Sequence, residues 1–324
     1  MLRVVKTQTK QADQPLLALG RHGVARVQVV EQLGGFCVQA QVPAPGRVFN
    51  ARLGLDLHAH TRTEAEAAGF SIEVDLDTGA LVGFEMLARW VSPVRGLISP
   101  DDFIPVAEET GMIGDLSMSI IRKAMLEAKN WDPKLTISIN ISPVQLKDPW
   151  LAQKIVKLLV ETGFPASRLE VEITESSLFK NLSLAQSIVG SLKNQGIRIA
   201  LDDFGTGYSS LAHLRALPFD RIKIDRSFVS SMLENAESAA IVNAIAGLGA
   251  SLNVPITAEG IEDENIIEKL RELGCSKGQG WLFGQPLNID QVRVLLLQKN
   301  LLPHLHRLSP STATEQDDFD VRKV

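Results

Sequence analysis

The chain has 324 residues, of which 45% are hydrophobic and 22% are charged, and its formal net charge is −5 at pH 7. This length and composition are typical of a globular protein with a sizeable core, either one large domain with an appendage or two small domains. The acidic balance argues against a nucleic-acid polymer as partner, because polynucleotide-binding domains usually carry a basic face.

The targeting and redox features predict a cytoplasmic protein without a membrane segment. Two cysteines, Cys37 and Cys275, are too few for a disulfide framework, so a reducing compartment is expected. The first residues lack the apolar core of a signal peptide. The longest weakly polar run, residues 239–250, is interrupted by Asn243 and is typical of a buried helix.

Residues 1–68 differ in sequence pattern from the rest of the chain. Strand-like alternation over Val24–Val30 and Phe36–Val42 predicts a hairpin or small β appendage, with a turn at Leu33–Gly35. The alternative is an altered N-terminus, such as a wrongly assigned start or reading frame.

From Phe70 onward, strands alternate with helices. The predicted strands are Ser71–Leu76, Leu81–Ala88, Leu135–Ile141, Leu169–Ile173, Ile197–Leu201, Arg221–Ile224, Pro255–Ala258 and Gly280–Phe283. The predicted helices are Asp101–Thr110, Leu116–Trp131, Trp150–Thr162, Leu182–Gln195, Ser209–Leu217, Ala236–Leu252, Glu262–Leu273 and Ile289–Leu297. This pattern predicts an α/β barrel or a doubly wound sheet, and the lack of GxGxxG after the first strand argues against a dinucleotide-binding sheet.

One stretch, Leu201–Leu211, carries the strongest chemical signal. Asp202 and Asp203 fall where a strand ends, and adjacent carboxylates are costly unless a cation or a proton holds them. The glycines that follow allow a tight, mobile turn. A strand end with two carboxylates and a flexible loop predicts a metal site with a moving part. The alternative is an Asx-type turn with solvated aspartates.

Seven successive strands each carry a polar side chain at or near one end. These residues are Glu85, Asn140, Glu172, Asp202, Lys223, Glu259 and Gln279. In a parallel barrel such ends converge on one face, where active sites lie. Each residue alone has a structural explanation, such as a snorkelling surface lysine. Seven polar residues at corresponding strand ends indicate that they form one common site.

The residue types at these ends favour oxygen-ligated divalent cations. Carboxylates and an amide oxygen are hard ligands that suit Mg²⁺ or Mn²⁺. With Asp203 there are five acidic groups, more than one ion needs, and two ions a few ångström apart would use them. Two-metal sites catalyse in-line displacement at phosphorus, and the metal charge would admit an anionic substrate to an acidic protein.

At these residues the sequence resembles the EAL family of cyclic di-GMP phosphodiesterases. The triplet that names the family stands here as Glu85-Met86-Leu87, and the resemblance runs from about Val74 to Phe283. Further matching motifs are Phe103–Gly111, Asn140 with Ser142, Glu172–Glu175, Asp202–Leu211, Lys223–Asp225, Ala258–Gly260 and Gln279–Gly280.

The resemblance implies a TIM-like (β/α)8 barrel with an antiparallel first strand. We accordingly expect a small atypical N-terminal segment at residues 1–68, the phosphodiesterase domain at 69–300 and a mostly disordered tail at 301–324. The implied activity is hydrolysis of cyclic di-GMP to linear pGpG by attack of metal-bound water or hydroxide at a site with two Mg²⁺ or Mn²⁺ ions. The alternative is a catalytically weak or silent cyclic di-GMP receptor. A homodimer is expected, with the apolar helix Ala239–Leu252 as its candidate face; packing of that helix on the barrel is the alternative.

The resemblance also implies a role for each matched residue. Glu85, Asn140, Glu172 and Asp202 would bind one metal ion. Asp203 and Glu259 would serve the second ion and the attacking water. Lys223 would hold or help activate that water, so the catalytic set is Glu85, Asp203, Lys223 and Glu259. Arg89 would contact a substrate phosphate, Gln279 would support substrate binding, and Glu175 would anchor the loop after Asp203.

Two positions depart from the family pattern. Met86 replaces the usual alanine or valine, and little effect is expected because its side chain alternates away from Glu85. The first strand reads Phe70-Ser71-Ile72-Glu73 where the family usually has Tyr-Gln-Pro-Ile. Because the family glutamine helps hold substrate, the shorter Ser71 predicts weaker substrate binding or a disturbed first strand.

Overall fold

The computed structural model describes residues 18–19, 24–30, 37–43, 68–92, 95–178, 181–206 and 217–302. The predicted turn at Leu33–Gly35, the predicted helix Ser209–Leu217 except its last residue, and the predicted tail from residue 303 lie outside these ranges. The described residues fall into two compact units.

One unit contains a small antiparallel sheet and the segment Asp101–Met112. Its strands are β1 (Ala18–Leu19), β2 (Val24–Val30) and β3 (Cys37–Pro43), in the order β1-β2-β3. Strand β2 is antiparallel to β3, with Val24 opposite Pro43 and Val30 opposite Cys37. Helix α1 spans Pro100–Glu109.

The other unit is a closed barrel of eight strands. These are β4 (Ala68–Asp75), β5 (Leu81–Ala88), β8 (Thr136–Ile141), β9 (Leu169–Thr174), β10 (Arg198–Phe204), β11 (Arg221–Ile224), β12 (Ile256–Ala258) and β13 (Lys277–Gln279). They close in the order β4-β5-β8-β9-β10-β11-β12-β13. Strand β4 is antiparallel to both β5 and β13, and the other neighbours are parallel. The TIM-like barrel with an antiparallel first strand is therefore confirmed.

Alternation along the strands divides the apolar core from the barrel interior. In β9, Leu169, Val171 and Ile173 are fully buried, and the glutamates between them point to the opposite face. The core consequently lies between the strands and the surrounding helices. At one edge of this core, the rings of Phe70, Phe84 and Trp131 make edge-to-face contacts.

Helices follow the strands around the barrel. They are α2 (Ile113–Ala128), α3 (Leu151–Thr162), α4 (Glu175–Leu178), α5 (Leu182–Asn194), α6 (Arg226–Val229), α7 (Ala236–Leu252), α8 (Glu264–Glu272) and α9 (Ile289–Gln298). Helix α2 packs on β5 and β8, α5 on β10, α7 on β11 and α9 on β4. Asn181, Asn235, Asp263 and Asn288 cap the N-termini of α5, α7, α8 and α9 with side-chain acceptors.

The prediction of a strand over Gly280–Phe283 is wrong. The eighth barrel strand is β13, three residues earlier, and Trp281–Phe283 form a turn of 3-10 helix. Gly280 and Gly284, with φ of 155° and 134°, bracket that turn. The apolar run Trp-Leu-Phe suggested a strand. The actual strand was not recognised in the sequence, because its lysine and glutamine face a polar barrel interior.

Two further observations complete the fold. The short hairpin of β6 (Trp90–Ser92) and β7 (Gly96–Ile98), which follows β5, was not predicted. No helix in the described part of the chain is both long and apolar enough to cross a membrane.

Candidate active site

The barrel brings all seven predicted strand-end residues to one end of its interior. Glu85, Asn140, Glu172, Asp202, Lys223 and Gln279 lie in or at the ends of their strands, and Glu259 follows β12 directly. We call these seven residues the upper ring. Parallel register explains the convergence, since Asn140 pairs with Glu172 and Glu172 with Ala200, two residues before Asp202.

The ammonium group of Lys223 is the centre of the upper ring. Its Nζ lies 2.5 Å from Glu259 Oε1 and 2.7 Å from Glu172 Oε2. Glu85 Oε2 and Asp202 Oδ1 are each 3.5 Å away. The lysine side chain is 1% exposed, so one buried cation is shared by four carboxylates. Such a cluster carries an excess of negative charge in a poorly solvated place, which favours binding of further cations.

Two amide side chains orient Glu85 from opposite sides. Asn140 Nδ2 donates to Glu85 Oε1 at 2.6 Å, and Gln279 Nε2 donates to Glu85 Oε2 at 2.6 Å. Gln279 also reaches Glu259 Oε1 at 3.4 Å. An amide presents either its NH₂ or its carbonyl oxygen after rotation about its last torsion, so Asn140 can also offer a metal an oxygen.

A bulge in β10 lets two consecutive aspartates face the same site. In a regular strand Asp202 and Asp203 would point to opposite faces. The pairing of β10 with β11 shifts between Leu201 and Phe204, and Asp203 has a left-handed φ of 53°. One carboxylate oxygen from each of Asp202, Asp203 and Glu259 consequently lies within 4.8 Å of the others.

The segment after the bulge is tied to the preceding strand by Glu175. This buried residue opens α4, immediately after β9. Its Oε2 accepts a hydrogen bond of 3.2 Å from the backbone N–H of Gly205. The contact joins the start of the glycine-rich loop to the end of the strand that carries Glu172.

Arg89 lies at the same end of β5 as Glu85. Its guanidinium is half-buried and donates to the carbonyl oxygen of Ala88 at 3.0 Å. A Cβ atom at Gly69 would lie 3.2 Å from both Cγ and Nε of Arg89, so the neighbouring strand leaves room for this side chain.

Burial and mutual repulsion keep several carboxylates of the ring hard to ionise. Burial raises the pKa of Glu172 well above its usual value. The attraction of Lys223 opposes this shift, and repulsion from Glu85 and Asp202 adds to it. Glu259 shows the same direction for the same reasons. Burial, with Asp202 and Asp225 nearby, raises the pKa of Asp203 to about 6. The upper ring therefore contains too little positive charge to balance its carboxylates.

Buried oxygen atoms that accept no hydrogen bond show whether this site fits a metal ion. Within the described residues, Glu172 Oε1, Asp202 Oδ1 and Gln279 Oε1 are buried and accept no hydrogen bond. Buried acceptors of this kind are costly unless a donor or a cation satisfies them. Because all are hard oxygen donors beside ionisable carboxylates, they fit Mg²⁺ or Mn²⁺.

The two departures from the family pattern occupy different surroundings. Ser71 lies directly opposite Glu85 in the β4–β5 ladder, which places it on the same face, at the edge of the site. Met86 is buried, and its side chain alternates to the other face of β5.

Sequence reasoning missed a second set of charged side chains one layer beneath the upper ring. We call Glu73, Glu170, Arg221 and Lys277 the lower layer. Three of them stand two residues before a ring residue in the same strand, as Glu170 does before Glu172. This two-residue spacing was the available signal, because residues two apart in a strand share a face.

Comparisons with known proteins agree with this geometry. The model of the EAL domain family matches residues 73–286, about two thirds of the chain. An uncharacterized signaling protein of Caulobacter vibrioides is 48% identical over 212 residues, which is 65% of this chain and 26% of the relative. The cyclic di-GMP phosphodiesterase PA2567 of Pseudomonas aeruginosa is 36% identical over 223 residues, covering 68% of this chain and 38% of that protein.

A solved structure gives the same answer at the level of the fold. The PaMucR phosphodiesterase, in a c-di-GMP complex, superposes with a TM-score of 0.72 at 34% identity, covering 74% of this chain and 99% of that chain. The chain spans between 26% and 42% of the length of the first curated relatives it matches.

Proposed function

Because the chain belongs to the EAL domain family, we propose that it hydrolyses cyclic di-GMP to linear pGpG with the help of two divalent cations. The oxygen of one water molecule forms a bond to a phosphorus atom of the cyclic dinucleotide. The bond from that phosphorus to a ribose 3′-oxygen breaks, and a proton of the water ends on the 3′-oxygen. The linear product has gained one phosphomonoester and one 3′-hydroxyl group.

The observation that carries this proposal is the single lysine shared by four carboxylates at the upper ring. The residues that would hold one cation are Glu85, Asn140, Glu172 and Asp202, and those that would serve the second are Asp203 and Glu259. Bound cations would supply Lewis acidity, neutralise the phosphate and lower the pKa of water. Glu172 Oε1 and Asp202 Oδ1, which accept no hydrogen bond from the described residues, support this assignment.

Lys223 would act in its charged form. Burial favours a neutral amine, but Asp202, Glu172, Glu259 and Glu85 outweigh burial and hold the pKa of Lys223 well above its usual value. It therefore suits the role of a hydrogen-bond donor that orients water and stabilises negative charge, and it does not suit the role of a base.

The proton acceptor would be one of the carboxylates beside Lys223. Asp203, whose pKa is raised to about 6, and the partly exposed Glu259 both lie on the second cation's side of the ring. A base is most effective when its pKa is close to the working pH. Arg89 would hold a phosphate of the substrate, and Gln279 would position Glu85 and Glu259 against it.

The proposal is tested by incubating the purified chain with cyclic di-GMP and Mg²⁺ or Mn²⁺ and separating the nucleotides by chromatography. We expect pGpG to form with either metal and not in EDTA. Glu85→Gln removes one charge from the ring at constant size and should lower kcat roughly a hundredfold or more.

A matched control is Glu272→Gln, which makes the same chemical change at a side chain that is 59% exposed on α8. Its kcat should equal that of the wild type. Cyclic di-GMP bound without product would overturn the enzyme and favour the receptor alternative. Unchanged turnover in Glu85→Gln would show that the cation assignment is wrong.

A further inference from the structure

The lower layer forms a charge-balanced floor beneath the upper ring. Lys277 Nζ donates to Glu73 Oε2 at 3.1 Å, joining the last barrel strand to the antiparallel first one. Arg221 Nε bridges both oxygens of Glu170, at 3.1 and 3.2 Å. Two cations and two carboxylates are thus paired one to one, and the carboxylate side chains are only 2% exposed.

Two further hydrogen bonds hold the residues of this floor. Ser138 Oγ donates to the second oxygen of Glu73 at 3.0 Å, and Arg221 Nη1 donates to Thr257 at 3.1 Å. Gly83 lies opposite Glu73 in the β4–β5 ladder, and a Cβ atom there would lie 2.5 Å from Thr136 Oγ1. The glycine therefore allows β5 and β8 to approach closely beside this floor.

The carboxylates of the floor lie close to Glu172, one of the ring residues that Lys223 contacts. One carboxylate oxygen from each of Glu73, Glu170 and Glu172 lies within 4.8 Å of the others. Burial disfavours ionisation of Glu73, but Lys277, Arg221 and Lys223 together hold its pKa below the usual value. Glu73 is consequently an anion that attracts Lys223 from below, while the ring attracts the same lysine from above.

The two layers differ in how completely their oxygens are satisfied. Both oxygens of Glu73 and of Glu170 accept hydrogen bonds within the floor. In the ring, Glu172 Oε1 and Asp202 Oδ1 accept none from the described residues. The closest contacts of Lys223 are in the ring, with Glu172 Oε2 and Glu259 Oε1.

We propose that Lys277 is a positioning residue: by occupying Glu73, it prevents that carboxylate from drawing Lys223 out of the upper ring. This inference rests on the proposed function only for the role of Lys223 in turnover. An unpaired buried charge is strongly unfavourable, so a carboxylate that loses its partner either takes a proton or draws in another cation. Arg221 is already held by Glu170 and Thr257, which leaves Lys223 as the cation that can move. Loss of Lys277 would therefore move the ammonium group of Lys223 toward the floor. The upper ring would then carry more negative charge.

The test is Lys277→Met, which keeps a chain of similar length without its charge. We expect kcat to fall about tenfold with little change in KM, measured as pGpG formed from cyclic di-GMP. We also expect Mn²⁺ to bind several-fold more tightly by titration calorimetry in the absence of substrate, because Lys223 no longer repels the cation. A barrel that was merely loosened would lose both turnover and metal affinity.

The second variant is Glu73→Gln combined with Lys277→Met. Glutamine still accepts the hydrogen bond from Ser138 but no longer attracts Lys223, so kcat and Mn²⁺ affinity should return to within about twofold of the wild type. Lys269→Met is the matched control, since it removes an equivalent ammonium from an exposed pair with Glu272 on α8. It should change neither quantity.

Wild-type kcat and Mn²⁺ affinity in Lys277→Met would overturn the proposal. A double variant as impaired as the single one would also overturn it, because the loss would then come from packing. If the wild type forms no pGpG, the proposed function fails, while the Mn²⁺ affinities of the three variants still report where Lys223 lies.

Discussion

At the scale of the residue, the layer that a side chain occupies decides its chemistry. Glu170 and Glu172 are the same amino acid two positions apart in β9, and both are buried. Glu170 forms an ion pair with Arg221, whereas Glu172 is one of four carboxylates that share Lys223. Burial raises the pKa of Glu172 well above its usual value. Glu172 is therefore prepared to exchange a proton for a metal cation.

Ser71 provides a prediction at this scale. Ser71 lies opposite Glu85, and the family pattern has glutamine at the position of Ser71. Ser71→Gln should lower the KM for cyclic di-GMP roughly two- to tenfold, because one added hydrogen bond contributes about 0.5–1.5 kcal/mol. The kcat should stay within about twofold. Steady-state kinetics of pGpG formation measure both. Ser71→Leu, which adds bulk without an amide, is the control; an equal gain from leucine would mean that size alone is responsible.

At the scale of the element, irregular backbone places functional groups that regular strands could not. The bulge in β10 turns Asp203 toward the same site as Asp202. After β13, Gly280 passes so close to the loop behind Glu259 that Ile261 N donates to Gln279 O at 3.0 Å. Leu282 N donates back to Ile261 O at 3.0 Å. These two bonds join the segments that carry Gln279 and Glu259.

Replacement of Gly280 tests this contact. A Cβ atom there would lie 2.2 Å from the backbone N and O of Ile261, so the two segments must separate. Gly280→Ala should lower the free energy of unfolding by roughly 3 kcal/mol, from steric overlap added to backbone strain. Urea denaturation measures the loss. Gly274→Ala is the control, because Gly274 has a φ of 81° but open space at its Cβ position. It should cost only about 1–2 kcal/mol. Equal losses would mean that the close approach to Ile261 is unimportant.

At the scale of the whole molecule, closure of the barrel joins the two ends of the domain. Strand β4 pairs with β13, and Phe70 exchanges backbone hydrogen bonds of 2.8 and 2.9 Å with Leu287. The chain then continues past α9 into buried structure. Leu301 accepts a hydrogen bond of 2.9 Å from Asp132 N, and Leu302 is 7% exposed. The folded unit therefore reaches at least to residue 302.

A pair of truncated chains tests this boundary and the independence of the barrel. Residues 65–302 should unfold cooperatively and keep kcat within about twofold of the full chain, because the barrel supplies every ring residue. Residues 65–300 should be less stable by about 2 kcal/mol through loss of buried Leu302. Thermal and urea unfolding compare the two chains. An unfolded 65–302 chain would show that the barrel needs the segment before it.

The sequence by itself determined the alternation of strands and helices and the polar residue at each strand end. Both are local, since alternation has a period of two and a strand end shows where apolar residues stop. This is why Glu85, Asn140, Glu172, Asp202, Lys223, Glu259 and Gln279 could be named without coordinates. The family pattern then supplied the antiparallel first strand.

Only the tertiary structure decided which charges pair and which stay open. The partnership of Glu73 with Lys277 joins residues 204 positions apart, and it exists because the antiparallel β4 closes against β13. The bulge at Asp203 and the true end of β13 at Gln279 likewise depend on neighbouring strands. Register between strands is a non-local property, because each strand's pleat is compatible with several pairings until the barrel closes. Closure thus decides that Lys277 belongs to Glu73 and Lys223 to the upper ring.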